Sequence, residues 1–229
     1  MIKVVNAKIE TPIFLSSERP HLLIIENPHE YYATVTEMQR AIDGELSEFT
    51  FWESIAQLQP AKTGEMLQNC FCFDFADKKI IGLLYKKLQS NYLSGDYIIG
   101  LNGINAKIAV FLQNLFDTVD FSLDYSEISL EDLLKACNVK PAKVYDSFLE
   151  KLICYINIFT ELKSIRFFVF VGLKDILSDE DLLSLYNHCF LQKVELLLLE
   201  SSKKRSLLPC ERAIIITDDL CEIVENITE

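Results

Sequence analysis

Three runs late in the chain constrain the fold most: Ile165 to Val171 (IRFFVFV), Val194 to Leu199 (VELLLL) and Ala213 to Thr217 (AIIIT). They are apolar almost without interruption. A strand with one wet face alternates apolar and polar residues, whereas a near-continuous apolar run is the pattern of a strand buried on both faces, as in a parallel sheet covered on each side. Leu22-Leu23-Ile24-Ile25 is a fourth, shorter run, ended by the breaker Asn27-Pro28. Between the first two late runs, Ser178-Asp179-Glu180-Asp181 caps a helix reaching about residue 191. Strand alternating with helix predicts an α/β fold with a mainly parallel sheet and right-handed crossovers.

Helices occupy the middle. Periodicity predicts strands at residues 2–9 and at Phe49-Thr50-Phe51-Trp52, and a helix over about 29–42 with Tyr32, Val35, Met38 and Ile42 on one face. Cys70, Cys72 and Asp74 alternate with Phe71, Phe73 and Phe75, which predicts a further strand. A helix over 77–91 follows, then a turn at Ser94-Gly95. A long helix over about 97–118 carries the stripe Ile104, Ile108, Phe111, Leu112 and Leu115. Ser129-Leu130-Glu131-Asp132 opens a short helix with a capping-box pattern. A last one, over about 142–163, aligns Val144, Phe148, Leu152, Tyr155, Ile156 and Phe159. Residues 1–76 and 141–229 therefore read as an α/β head, and residues 77–140 as a helical leg.

The chain has 229 residues, half of them apolar, enough for a substantial core. No apolar run approaches the roughly 18 residues that span a bilayer. The start, Met1-Ile2-Lys3-Val4-Val5-Asn6, lacks a signal-peptide pattern. Seven cysteines, an odd number set mostly in apolar segments, read as reduced core residues and place the chain in the cytoplasm. Cys70-Phe71-Cys72 lacks a second pair to complete a zinc site.

Catalytic motifs are missing. Neither G-x-x-x-x-G-K-[ST] nor G-x-G-x-x-G occurs, and Glu26-Asn27-Pro28-His29, after the short buried strand, supplies no cradle of backbone amides. His21, His29 and His188 fall in no nucleophile or metalloprotease pattern. Binding is therefore expected rather than catalysis.

Charge is distributed unevenly. The formal total is −12. Yet residues 78–116 carry Lys78, Lys79, Lys86, Lys87 and Lys107 against Asp96 alone, a local +4 (5 − 1). Residues 117–132 carry Asp117, Asp120, Asp124, Glu127, Glu131 and Asp132 with no base, a local −6. Oxygen ligands gathered around a loop suit calcium, although the EF-hand spacing is absent; the alternative is that Asp132 caps the short helix and the others face water. The lysines are candidate phosphate contacts or a solvated helix face. Lys203-Lys204-Arg205 is a second basic patch.

The succession LDYSEISLEDLLKACNVK (Leu123–Lys140), a long helix, IRFFVFVGLKDILSDEDL (Ile165–Leu182), VELLLLE (Val194–Glu200) and AIIIT resembles the CRISPR-associated adaptation protein of type II-A systems. PIFLSSERPHLLIIENPHEYY (Pro12–Tyr32) fits the first strands of that family less tightly. The resemblance implies a P-loop-like head without a functional phosphate loop, a helical leg, and a homotetrameric ring that threads the ends of linear double-stranded DNA through a lysine-lined hole. It implies a non-catalytic role in spacer acquisition, beside other CRISPR adaptation proteins and the effector nuclease. It also implies calcium held by leg carboxylates; Asp124, Glu127 and Asp132 fall on acidic positions of the family's turn, with Asp120 nearby. The lysines named above would then line the hole. A protein-only scaffold and a small-molecule enzyme on an α/β fold are the rival readings.

Overall fold

Runs from both ends of the chain pair into one sheet, and the physical reason is their two-sided apolar character. The computed structural model describes residues 1–74, 78–93, 97–142 and 145–226. The chain divides into two units, Met1–Phe73 with Tyr145–Glu229, and Asp74–Val144.

The first unit opens with strands β1 (Ile2–Asn6), β2 (Ile13–Leu15) and β3 (His21–Ile25), then helix α1 (Pro28–Asp43). Next come β4 (Phe49–Glu53), β5 (Ala56–Leu58), the single turn α2 (Pro60–Thr63) and β6 (Gly64–Leu67). The second unit contributes α3 (Lys78–Leu93), α4 (Tyr97–Phe116) and α5 (Leu130–Ala136). The chain returns to the first unit with α6 (Phe148–Lys163), β7 (Phe167–Val171), α7 (Asp179–Gln192), β8 (Glu195–Glu200), β9 (Arg212–Ile216) and β10 (Glu222–Asn226).

Among the described residues the strands form two sheets, ordered β2-β1-β4-β5 and β10-β9-β3-β8-β7-β6. The first is antiparallel. In the second, β9, β3, β8, β7 and β6 run parallel and only β10 is antiparallel. The protein is thus an α/β protein with a largely parallel main sheet. β6 and β7 are parallel neighbours, which a tight turn cannot join. Their crossover contains α6 and the whole helical unit, and this is why helices interrupt a strand-rich sequence.

Register decides which apolar side chains share a face. Leu23 lies opposite Leu199 and Ile214, and Val169 opposite Leu197. With Ile25, Phe167 and Ile216 these residues meet Ile2, Val4, Ile13, Leu15, Phe49 and Phe51 of the smaller sheet, and Met38, Ala41 and Ile42 of α1. The other face buries Leu22, Ile24, Phe168, Phe170, Leu196 and Leu198. Tyr155 of α6 stands edge-on to Phe168 at 6.1 Å, and α7 packs along β8.

Several sequence expectations change. Residues 70–72 are turn and bend, and 73–74 irregular, rather than strand: the Asn69 carboxamide oxygen accepts from the amides of Phe71 and Cys72 at 3.0 and 3.2 Å, a local alternative to sheet pairing. Phe75, Ser94, Gly95 and Val144 lie outside the described residues. The strand expected over 2–9 stops at Asn6, whose side chain accepts from the Lys8 amide. The helix expected from about 142 starts at Phe148, because Ser147 caps it by accepting from the Glu150 amide.

Candidate nucleic-acid interface

α3 carries four of the five candidate lysines. Lys78 and Lys79 begin the helix, Lys86 and Lys87 lie two turns on, and Lys107 is on α4; all five are exposed. Lys79 and Lys86 are seven residues apart, so they share one side of the helix about 10 Å apart along its axis. Among the described residues no ion pair engages Lys79, Lys86 or Lys107.

The acidic segment folds back over α4 and is held by polar clamps. Asn105 of α4 accepts from the Ile128 amide and donates to the Ile128 carbonyl, both at 3.1 Å. Tyr85 Oη of α3 donates to the Leu134 carbonyl of α5 at 3.2 Å, and Gln89 donates to Glu131 at 3.2 Å. Glu131 also pairs with Lys135 at 2.6 Å, which holds its carboxyl below the usual range.

The four candidate calcium ligands do not converge within one chain. Asp120, Asp124 and Glu127 are exposed, and Asp124 accepts from the neighbouring Tyr125 amide. Asp132 completes a capping box: its carboxylate accepts from the Ser129 hydroxyl and amide, while Ser129 Oγ accepts from the Asp132 amide. Those bonds lower its pKa. Among the described residues no three His, Cys, Asp or Glu side chains are grouped to hold a metal ion. A complete site for a hard cation therefore does not fit this single-chain arrangement.

The second basic patch is internally neutralised. Lys203 pairs with Glu225 at 2.6 Å, Lys204 with Asp175 at 2.6 Å and Arg205 with Asp179 at 2.8 Å. On α3 and α4, by contrast, Lys79, Lys86 and Lys107 are presented to solvent without a carboxylate complement among the described residues. At the point where a nucleotide-binding α/β protein would place its phosphate loop, Asn27 instead caps α1, accepting from the His29 and Glu30 amides at 3.0 and 3.2 Å.

An apolar surface on α4 was hidden in the sequence. Its stripe reads as the buried face of an amphipathic helix, yet among the described residues of α4 none is buried. Val110, Phe111 and Leu115 are 63%, 66% and 51% exposed. The segment after it continues the surface with Phe121, Leu123 and Tyr125, all exposed. The usable signal was that α4 is apolar nearly all round, which marks a helix that must be covered.

Residues 41–220 match the sequence profile of the CRISPR-associated protein (Cas_Csn2) family. This chain belongs to that family. The matched span takes in the helical unit and, of the main parallel sheet, β6, β7, β8 and β9. No curated protein sequence matches the chain. Membership of the Cas_Csn2 family makes this a CRISPR-associated adaptation protein. Among the described residues no helix is long and apolar enough to cross a membrane.

Proposed function

We propose that this Cas_Csn2 family member binds the ends of linear double-stranded DNA during spacer acquisition in the cytoplasm, as a homotetrameric ring and without catalysing a reaction itself. The observation that carries the DNA reading is the pair Lys79 and Lys86 on one side of α3, exposed and without a carboxylate partner among the described residues. Lys78, Lys87 and Lys107 extend this cationic stretch within the helical unit. A net charge of −12 does not oppose it, because phosphates respond to the local field. Contacts of this kind grip the backbone and read no sequence. The other CRISPR adaptation proteins and the effector nuclease are the proposed partners.

The apolar face of α4 supports assembly from copies of this chain. Calcium belongs to the same reading. Asp120, Asp124 and Glu127 are exposed carboxylates, and since the acids do not converge within one chain, an ion would take oxygen ligands brought together by assembly.

Binding to linear duplex and to covalently closed circular duplex of the same sequence tests the reading. Linear DNA binds and the circle binds much more weakly. Substituting Lys86→Ala and Lys87→Ala weakens binding equally on unrelated sequences and reduces the slope of log K against log salt by about two. Equal affinity for linear and circular DNA would exclude threading, and a wild-type salt slope in the double variant would place the DNA elsewhere.

A further inference from the structure

Open parallel sheets take their ligands in the crevice outside the carboxyl ends of the strands. In this protein that crevice is occupied by its own chain. Ser202, Lys203, Lys204 and Arg205, which follow β8, line a small cavity together with Leu22 and Ile24 of β3, Glu200 at the end of β8, Lys174 and Asp175. The space left beneath them is about 10 Å³, room for a single water at most.

The two ends of this segment are held differently from its middle. At the β8 end the buried Glu200 carboxylate accepts from the Lys174 amide at 3.0 Å. At the β9 end the buried Glu211 carboxylate accepts from Lys174 Nζ at 2.9 and 2.7 Å, from Tyr186 Oη at 2.7 Å and from the Leu208 amide at 2.7 Å. The middle is held by three consecutive cations, each pairing with an acid from a different place: Lys203 with Glu225 of β10, Lys204 with Asp175 after β7, and Arg205 with Asp179 at the start of α7. Arg205 also donates to the Leu177 carbonyl at 2.8 Å. All six side chains are partly exposed. Ion pairs in that setting are weak and are screened by salt, whereas the buried anchors are not.

We propose that residues 201–206 form an electrostatically latched strap that shuts the carboxyl-edge crevice of the main sheet and lifts locally when its three ion pairs are broken. The Lys203-Lys204-Arg205 triplet is then an intramolecular latch rather than a second DNA contact.

Hydrogen exchange followed by mass spectrometry on the full chain tests this. The peptide covering 201–208 exchanges at least about threefold faster at about 1 M than at about 50 mM salt. The triple variant Lys203→Gln, Lys204→Gln, Arg205→Gln exchanges at low salt as fast as the parent does at high salt. Peptides from β8 keep their rates in every case. Exchanging the charges of one pair, Arg205→Asp with Asp179→Arg, restores part of the protection that Arg205→Asp alone removes. Exchange of 201–208 that ignores both salt and the triple substitution overturns the latch, and so does a rise shared equally by β8, which signals general loosening.

Discussion

Glu200 and His21 lie on the main sheet and titrate in opposite senses. Burial pushes the Glu200 carboxyl up to about 7 from an ordinary 4.5, although the Lys174 amide donates to it. Between those values the folded chain holds a proton that the unfolded chain has released. The stability from Glu200 is therefore complete below about pH 4.5 and is lost as pH rises through about 7. Burial pushes the His21 imidazole down to about 4 from 6.5, and Arg212, its register partner on β9, adds repulsion. Both His21 ring nitrogens are buried without a hydrogen-bond partner among the described residues. The stability from His21 is complete above about pH 6.5 and is lost as pH falls through about 4. The two slopes oppose each other in the weakly acidic range, so the parent protein hides both. Glu200→Gln keeps an acceptor for the Lys174 amide and removes the charge. It raises the melting temperature at about pH 8 and leaves it near the parent's at about pH 4. At about 1.4 kcal/mol per pKa unit the gain is at most a few kcal/mol. Thermal melts at the two pH values check this, and a larger gain at the lower pH contradicts the sign.

At the scale of elements, β6 shows why some strands could not be read from the chain. Its sequence, Gly64-Glu65-Met66-Leu67, neither alternates nor runs apolar, and it is an edge strand only four residues long. Its placement depends on a distant partner. A Cβ at Gly64 would stand 2.3 Å from the Phe167 ring and 2.8 Å from Ile42 Cδ1, and Phe167 is itself stacked on Phe51 at 5.1 Å. Gly64→Ala therefore overpacks the β6–β7 junction and destabilises the protein by about 1–3 kcal/mol; urea denaturation measures this, and a neutral result means the ring can yield. β2, β5 and β10 escaped notice for a similar reason: three to five residues each, at or near sheet edges, with little periodicity to find. The opposite error at residues 70–74 arose because a period-two pattern of phenylalanines carries no information about a nearby Asn69 able to cap a turn. β3, β7, β8 and β9 were legible because two-sided burial leaves no room for polar residues.

For the molecule as a whole, the decisive contrast is between a core-rich α/β unit and a helical unit in which, among the described residues, Ile80 is the one buried apolar side chain. Apolar surface of that kind calls for a partner surface, and the proposed partner is another copy of the chain. Native mass determination tests it: the parent runs as a tetramer, and Phe111→Asp with Leu115→Asp shifts it to smaller species while circular dichroism keeps its helical content. A calcium chelator shifts the parent in the same direction. An unchanged mass in the double variant removes α4 from the interface, and an unchanged mass with chelator removes calcium from the assembly. From the residues alone, the α/β class, the parallel sheet, the long helices and the lysine-rich and acid-rich stretches were determined, because each is written in local composition and period. Tertiary structure alone decided which charges are available. Lys203, Lys204 and Arg205 look as basic as Lys78 and Lys79 in one dimension, but the fold brings Glu225, Asp175 and Asp179 to the former. Charge is a property of a residue, whereas its neutralisation depends on residues far away in sequence, and only the folded chain brings those together.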